Sequence, residues 1–365
     1  MSSNMNLFQE YKGITRYAGV PTEQLTGRLH YNENLYGPSP KCMETLKELV
    51  PSDLYLYESG FRDDLTDAIS EKIGIPAENI FLNNGSAEII NSIYSIVANR
   101  ECTVLLPNPG WSYYYGLADY KFCKPVLYDI LEDGDKCRHD VEAIRRLAAE
   151  YHPRLIFITS PAMPTGNVID PEDLEGIVRD FQESIVLVDE AYLGFAPYQI
   201  DCRRMIETYD NIIFSRTFSK YYGLANLRIG YGFCSTALKG VLWLDMPLHR
   251  LPHICKRMAI AALKDNEYYD MITAKLIASR EKLIETLNRL PGVTAFKSDA
   301  NFIYVRTKGY DPERIKEICA ENGYLVRIFT NGVEKHLRMT IATEDVMESF
   351  TKMLLGAFEE AKLEG

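Results

Sequence analysis

The segment "TFSKYYGLANLRIGYG" (217–232) places one amine, Lys220, and one guanidinium, Arg228, among hydroxyls and apolar residues. Elsewhere "SIVLVDEAY" (184–192) ends an apolar run in a carboxylate, Asp189, and a phenol, Tyr192. The segment "LNNGSAEIINSIYSIV" (82–97) sets Gly85, Ser86 and Ala87 at the start of an amphipathic helical pattern. Free backbone N–H groups and the helix dipole there suit an anion. Each feature alone has an ordinary explanation as a cap or a solvated cation. Together, an amine, a carboxylate, a phenol and a phosphate cradle are what pyridoxal phosphate requires. The amine binds its aldehyde, the carboxylate keeps its ring nitrogen protonated, and the cradle holds its phosphate.

These groups must be positioned by strands and helices. Apolar runs at 103–107, 125–130, 154–160, 184–190, 211–215 and 228–234 read as strands, with helix-like segments such as 141–151 and 171–182 between them. That alternation predicts an α/β fold with a mostly parallel central sheet covered on both faces. Ligands in such sheets bind beyond the carboxyl ends of the strands, where Asp189 and Lys220 fall. The last hundred residues predict a smaller α+β domain: a helical region over about 254–290, strands near 301–307, 324–329 and 337–342, and helices over 311–323 and about 344–362. The expected domains are an N-terminal arm with part of the small domain (1–45), a large cofactor-binding domain (46–250) and the small domain (251–365).

The chain has 365 residues, enough for two or three domains at about 150 residues each. Its net charge of −11 argues against a general nucleic-acid binder. The eight cysteines form no CxxC pair, as expected of reduced thiols in a cytoplasmic protein rather than a disulfide frame. The polar opening "MSSNMNLFQEYKG" predicts no secretory signal, and no run of ~18 apolar residues predicts a membrane span. His249 and His253 flank Pro252 and lack an HExxH pattern, so no metal site is expected.

The ordered set "YNENLYGPSP", "NNGSAE", "NPGW", "SPAMPTGN", "VDEAY", "TFSKYYGLANLRIGY" and "LRMTIA" resembles fold-type I pyridoxal-phosphate enzymes of the class I/II aminotransferase family. Within it the chain is most similar to the group of histidinol-phosphate aminotransferases and threonine-phosphate decarboxylases. The resemblance runs from about residue 14 to the C-terminus. It implies that Lys220 carries the cofactor, Asp189 meets the pyridine nitrogen, and Tyr192 meets the ring oxygen O3′. It implies that Ser86, Ala87, Thr217, Ser219 and Arg228 hold the phosphate and that Trp111 stacks on the ring. Tyr57 matches a tyrosine that reaches the neighbouring subunit's phosphate, which implies a homodimer; Tyr17 is a further candidate for such a cross-subunit contact. Arg338 matches the arginine that grips the substrate's carboxylate or phosphate, with Arg327 beside it, and Asn32 lies in the segment lining the substrate entrance.

One loop departs from the family. "SPAMPTG" carries Ala162 and Met163 where the family usually has two asparagines. Methionine cannot donate a hydrogen bond, and losing one bond to a charged oxygen is worth about 1.5–3 kcal/mol. Three readings therefore stand: an aminotransferase acting on an anionic amino compound and a keto acid, a decarboxylase of an O-phosphorylated amino acid on the same fold, and a cofactor-binding sensor without catalysis.

Overall fold

The computed structural model describes residues 25–57, 64–97, 102–242, 244, 251–331 and 334–363. Twelve strands are present among them: β1 Ile80–Asn83, β2 Thr103–Asn108, β3 Lys124–Asp133, β4 Lys136–His139, β5 Leu155–Thr159, β6 Ile185–Asp189, β7 Ile212–Thr217, β8 Gly230–Phe233, β9 Val293–Ala295, β10 Phe302–Thr307, β11 Arg327–Asn331 and β12 Glu334–Thr340. The first eight form one sheet in the order β1-β8-β7-β6-β5-β2-β3-β4. Its centre, β3-β2-β5-β6-β7, is parallel, and antiparallel strands β4 and β8 follow at the two ends.

Side-chain alternation explains why this sheet is covered twice. Ile156, Ile158, Val186, Val188, Ile212 and Phe214 pack into one hydrophobic core, and their neighbours Leu155, Phe157, Leu187 and Ile213 pack into another. A strand buried on both faces reads as an unbroken apolar run, and "LIFIT" is buried at every position. Helices supply the layers. Val141–Tyr151 begins at Asp140, whose carboxylate accepts from the Ala143 amide at 3.0 Å. Pro171–Asp180 begins at Asp170, whose carboxylate accepts from the Glu172 amide at 2.8 Å, with Pro171 pre-set for the first turn.

The second sheet, β11-β12-β10-β9, is antiparallel. Ile303, Val305, Leu337 and Met339 on one face pack with Ile315, Ile318, Phe350 and Leu354 of helices Pro312–Glu321 and Glu344–Glu360. Leu29 joins this core, and the Thr340 amide donates to its carbonyl at 2.9 Å. The opposite face, from Phe302 to Arg338, turns toward the large sheet. The helical region expected over 254–290 is two helices, His253–Leu263 and Asn266–Leu287. Between them Asp265 pairs with Lys41 at 2.8 Å and accepts from Ser39, an anchor for the residues ahead of the large sheet. The eight cysteines are buried, and no helix among the described residues is long and apolar enough to cross a membrane.

The edge strand β1 leads directly into the cavity. Asn83 pairs with Gly230, and Gly230 pairs with Thr217. A Cβ at Gly230 would fall 2.4 Å from the Gly85 carbonyl carbon and 2.5 Å from the Ser86 amide nitrogen. Only glycine lets β8 approach the start of helix Ser86–Val97 this closely. Gly230→Ala should cost about 1–3 kcal/mol by overpacking backbone that cannot move aside. Denaturant titration should show a lowered midpoint with unchanged helix content; a midpoint equal to that of the unsubstituted protein would refute the close approach.

Candidate active site

The loops beyond β2, β5, β6 and β7, the start of helix Ser86–Val97, residues 30–33 and the inner face of the small sheet enclose a cavity of about 280 Å³. Lys220, Asp189, Tyr192, Trp111, Ser86, Ala87, Thr217, Ser219, Arg228, Arg338 and Arg327 all line it. Asn32 is fully buried beside it, its backbone held at φ 55° and its side chain bonded to Thr340 at 3.0 Å. Tyr57 lies elsewhere and is 80% exposed. Tyr17 lies outside the described residues.

Two ionisable groups follow neighbouring central strands into the cavity. Asp189 ends β6 between Thr159 and Ser215 of the flanking strands. Its Oδ2 accepts from the Tyr114 hydroxyl at 2.6 Å, and its Oδ1 accepts from the Ala191 amide at 3.1 Å. Burial pushes its pKa up to about 6, while the Tyr114 and Ala191 bonds pull it back. Lys220 follows β7, and its Nζ donates to the Tyr31 carbonyl at 2.7 Å. Burial lowers its pKa to about 8, and Arg338 pushes the same way. Burial raises the Tyr192 phenol, whereas Arg338 and Asn32 oppose that rise.

One side of the cavity is a cradle of donors. Gly85, at φ 83°, turns the chain into helix Ser86–Val97. A Cβ at Gly85 would fall 2.5 Å from the Arg228 guanidinium, so the cation rests on this turn. Arg228, at φ 54°, donates to Ser219 at 3.3 Å and to the Ala225 carbonyl at 2.9 Å. Thr217 donates to Ser219 at 3.0 Å, which clusters the hydroxyls beside the guanidinium. A helix N-terminus, two hydroxyls and an arginine fit a phosphate dianion. The buried Asp189 carboxylate fits a protonated ring nitrogen, and the Lys220 amine fits an aldehyde.

The other side is built by the small sheet. Arg327 and Arg338 face each other across β11 and β12. Both donate to the His30 carbonyl, Arg327 Nε at 3.2 Å and Arg338 through a short bond. Arg338 also lies against the Met163 sulfur at 3.4 Å and over the rings of Phe302 and Phe329. Burial, with Arg327, Arg28 and Arg338 nearby, holds the His30 imidazole at about 4, so it is neutral at pH 7. Two residues from Arg338 on the same strand face, His336 meets Glu132 of β3 at 2.7 Å, and Glu132 also pairs with Arg306 at 2.6 Å. These contacts tie the small sheet to the large one.

Sequence reasoning did not single out His30, Tyr31, Glu33, Tyr114 or Phe329 as lining residues. The first three adjoin Asn32 in "HYNEN", a signal that was available. Tyr114 sits among Tyr113 and Tyr115 with nothing local to distinguish it.

The geometry now meets its relatives. The chain belongs to the aminotransferase class I and II family, whose model matches residues 28–354. It is similar to a histidinol-phosphate aminotransferase of Methanococcus maripaludis, with 30% identity over 346 residues covering 93% of this chain and 92% of that protein. It is also similar to the histidinol-phosphate aminotransferase of Methanocaldococcus jannaschii, with 28% identity covering 93% and 91%. The fold matches the crystal structure of histidinol-phosphate aminotransferase from Sinorhizobium meliloti in complex with pyridoxal-5'-phosphate, at TM-score 0.86 and 21% identity, covering 98% of this chain and 99% of that one. The chain is thus an aminotransferase of this family, and the sequence-based α/β expectation for the fold holds.

Because the Lys220 amine is lowered from 10.5 to about 8, it is an ammonium below that pH and a free amine above it. In protein stripped of any bound aldehyde, labelling of Lys220 by a small amine reagent should rise with a midpoint near pH 8. Exposed lysines should still be climbing toward their ordinary range. A Lys220 midpoint indistinguishable from theirs would contradict its burial in the charged cavity.

Proposed function

We propose that this aminotransferase binds pyridoxal phosphate and moves an amino group between a phosphorylated amine of the histidinol phosphate type and a keto acid. The observation that carries this reading is the convergence of Lys220, Asp189 and the donor cradle in one cavity whose far side is formed by Arg327 and Arg338. The activity of these relatives suggests the substrate type.

Pyridoxal phosphate, when bound, withdraws electrons from the substrate's α-carbon and so makes its proton removable. The chain's own residues do the rest. Ser86, the Ala87 amide, Thr217, Ser219 and Arg228 hold the phosphate. Asp189 supplies a fixed negative charge for the ring nitrogen, Tyr192 a hydroxyl for O3′, and Trp111 a flat wall. Lys220 Nζ would hold the aldehyde and, set free when the substrate's amine takes its place, would carry the proton, which a pKa near 8 suits at physiological pH. Arg327 and Arg338 bind the substrate's anionic end, and Asn32 shapes the entrance between them and Tyr192. A planar fork can make two parallel bonds to a phosphate or carboxylate.

The test is a direct assay. Purified protein given histidinol phosphate and 2-oxoglutarate should form glutamate and release no carbon dioxide. Borohydride should fix the cofactor on Lys220, and Arg338→Lys should raise KM about ten- to a hundredfold while leaving cofactor binding intact. Carbon dioxide release from an O-phosphorylated amino acid without glutamate formation would favour the decarboxylase, and a label on another lysine would defeat the site assignment.

A homodimer completes the proposal. Leu54, Tyr55, Leu56 and Tyr57 are 72%, 73%, 61% and 80% exposed, four large apolar side chains in a row that favour a partner. We assign a second copy to that surface, with Tyr57 reaching toward its phosphate cradle. Sedimentation should give twice the chain mass of 41.7 kDa. Tyr57→Asp together with Leu54→Asp should lower that mass, and a monomeric unsubstituted protein at working concentration would reject the dimer.

A further inference from the structure

We propose that Tyr114 is a positioning residue for Asp189: its hydroxyl keeps the carboxylate charged and turned toward a pyridine nitrogen. This rests on the reading above that Asp189 meets that nitrogen. Tyr114 lies in helix Ser112–Tyr120, which starts immediately after Trp111. Trp111 precedes the helix and Tyr114 lies in its first turn, their rings edge-on at 5.5 Å, so one short element delivers both a flat aromatic wall and a hydroxyl donor to the cavity.

Tyr114 is 2% exposed and Asp189 4%, and they meet at 2.6 Å. The ring has little freedom to move. It packs at 4.9 Å from Phe157 and edge-on at 5.5 Å from Trp111, and the Tyr94 hydroxyl donates to the Tyr114 carbonyl at 3.1 Å. Its neighbours in sequence do other work. Tyr115 donates to the Pro107 carbonyl at 2.6 Å, and Tyr113 packs against Trp111 at 4.8 Å.

The proton inventory is consistent from both sides. Burial and the Asp189 charge push the Tyr114 phenol well above its ordinary value, so the proton stays on oxygen and the group remains a donor. Burial pushes Asp189 up, and the bond from Tyr114 leads the forces that pull it down. Each carboxylate oxygen accepts one protein hydrogen bond and keeps a lone pair for a ligand. Without the hydroxyl, one oxygen of a buried carboxylate loses its side-chain donor, and the neutral acid becomes easier to form. A neutral acid cannot stabilise a pyridinium.

Tyr114→Phe keeps the ring and removes only the hydroxyl. Two probes distinguish positioning from packing: pyridoxal phosphate, and its analogue with carbon in place of the ring nitrogen. Both are titrated into cofactor-free protein by absorbance or fluorescence. The unsubstituted protein should prefer pyridoxal phosphate. Tyr114→Phe should weaken pyridoxal phosphate binding roughly ten- to a hundredfold and leave the carbon analogue nearly unchanged. The loss should deepen as pH falls, because the carboxylate then protonates sooner. In an Asp189→Asn background, Tyr114→Phe should add almost nothing, the mark of two residues acting through one contact. Equal losses for both probes, or no loss for either, would overturn this proposal alone. Failure of the unsubstituted protein to distinguish the probes would overturn the reading of Asp189, and this proposal with it.

Discussion

A carboxylate buried at the end of a central strand is the constraint around which this molecule is arranged. An ion taken out of water costs several kcal/mol even after the surroundings relax. Asp189 bears that cost on β6, flanked by β5 and β7, with Tyr114 and the Ala191 amide meeting its two oxygens. Immediately behind it, Glu190 is buried too, and is neutralised by Arg216 at 2.7 Å. The two adjacent acids thus have different fates. Glu190 spends its charge inside the protein, and Asp189 presents its charge to the cavity. The dryness that raises Asp189 also lowers Lys220. One physical cause therefore brings a carboxylate and an amine from opposite ends of the pH scale toward neutrality, where both can take part in proton chemistry.

Donors suited to anions are divided between the two sheets. The large sheet offers the start of helix Ser86–Val97, hydroxyls and Arg228. The small sheet offers Arg327 and Arg338, a like-charged pair set directly across two strands. Such a pair is unfavourable in itself. Here the His30 carbonyl accepts from both guanidiniums and offsets part of that repulsion. In a chain with net charge −11, this local concentration of cations is a feature of the cleft and not of the surface at large. It places two sets of donors suited to anions on opposite walls of one cavity.

How much of this was legible in the sequence depended on how far apart the chain placed the partners. Thr217, Ser219, Lys220 and Arg228 fall within one stretch because β7 and β8 are consecutive antiparallel strands, so spacing alone grouped them. Asp189 was visible as the end of an apolar run. Tyr114 was not, because its partner is 75 residues away and its two neighbours are also tyrosines. Short strands escaped for a related reason. β4 is "KCRH", buried only at alternate positions, and its pairing with β3 comes from the turn at Gly134 rather than from apolar content. The long helical pattern after residue 253 hid a break at Asp265, whose purpose lies in contacts with Ser39 and Lys41 more than 200 residues earlier.

Met163 gains a different meaning once its neighbours are known. In the sequence it is a missing donor. In the structure its sulfur lies 3.4 Å from the Arg338 guanidinium, in a cluster with Ala300 and Phe302 against which Trp111, Tyr192 and Phe329 pack. A thioether is a weak acceptor with no charge, and aromatic faces attract a cation without neutralising it. A carbonyl, a sulfur and two rings thus steady Arg338 while leaving its positive charge to act across the cavity. The replacement removes a hydrogen-bond donor from one side of the site and puts a soft, polarisable cushion under the arginine on the other. Reading the substitution only as a loss at the cofactor would overlook the residue it touches, Arg338, which we propose meets the substrate's anion.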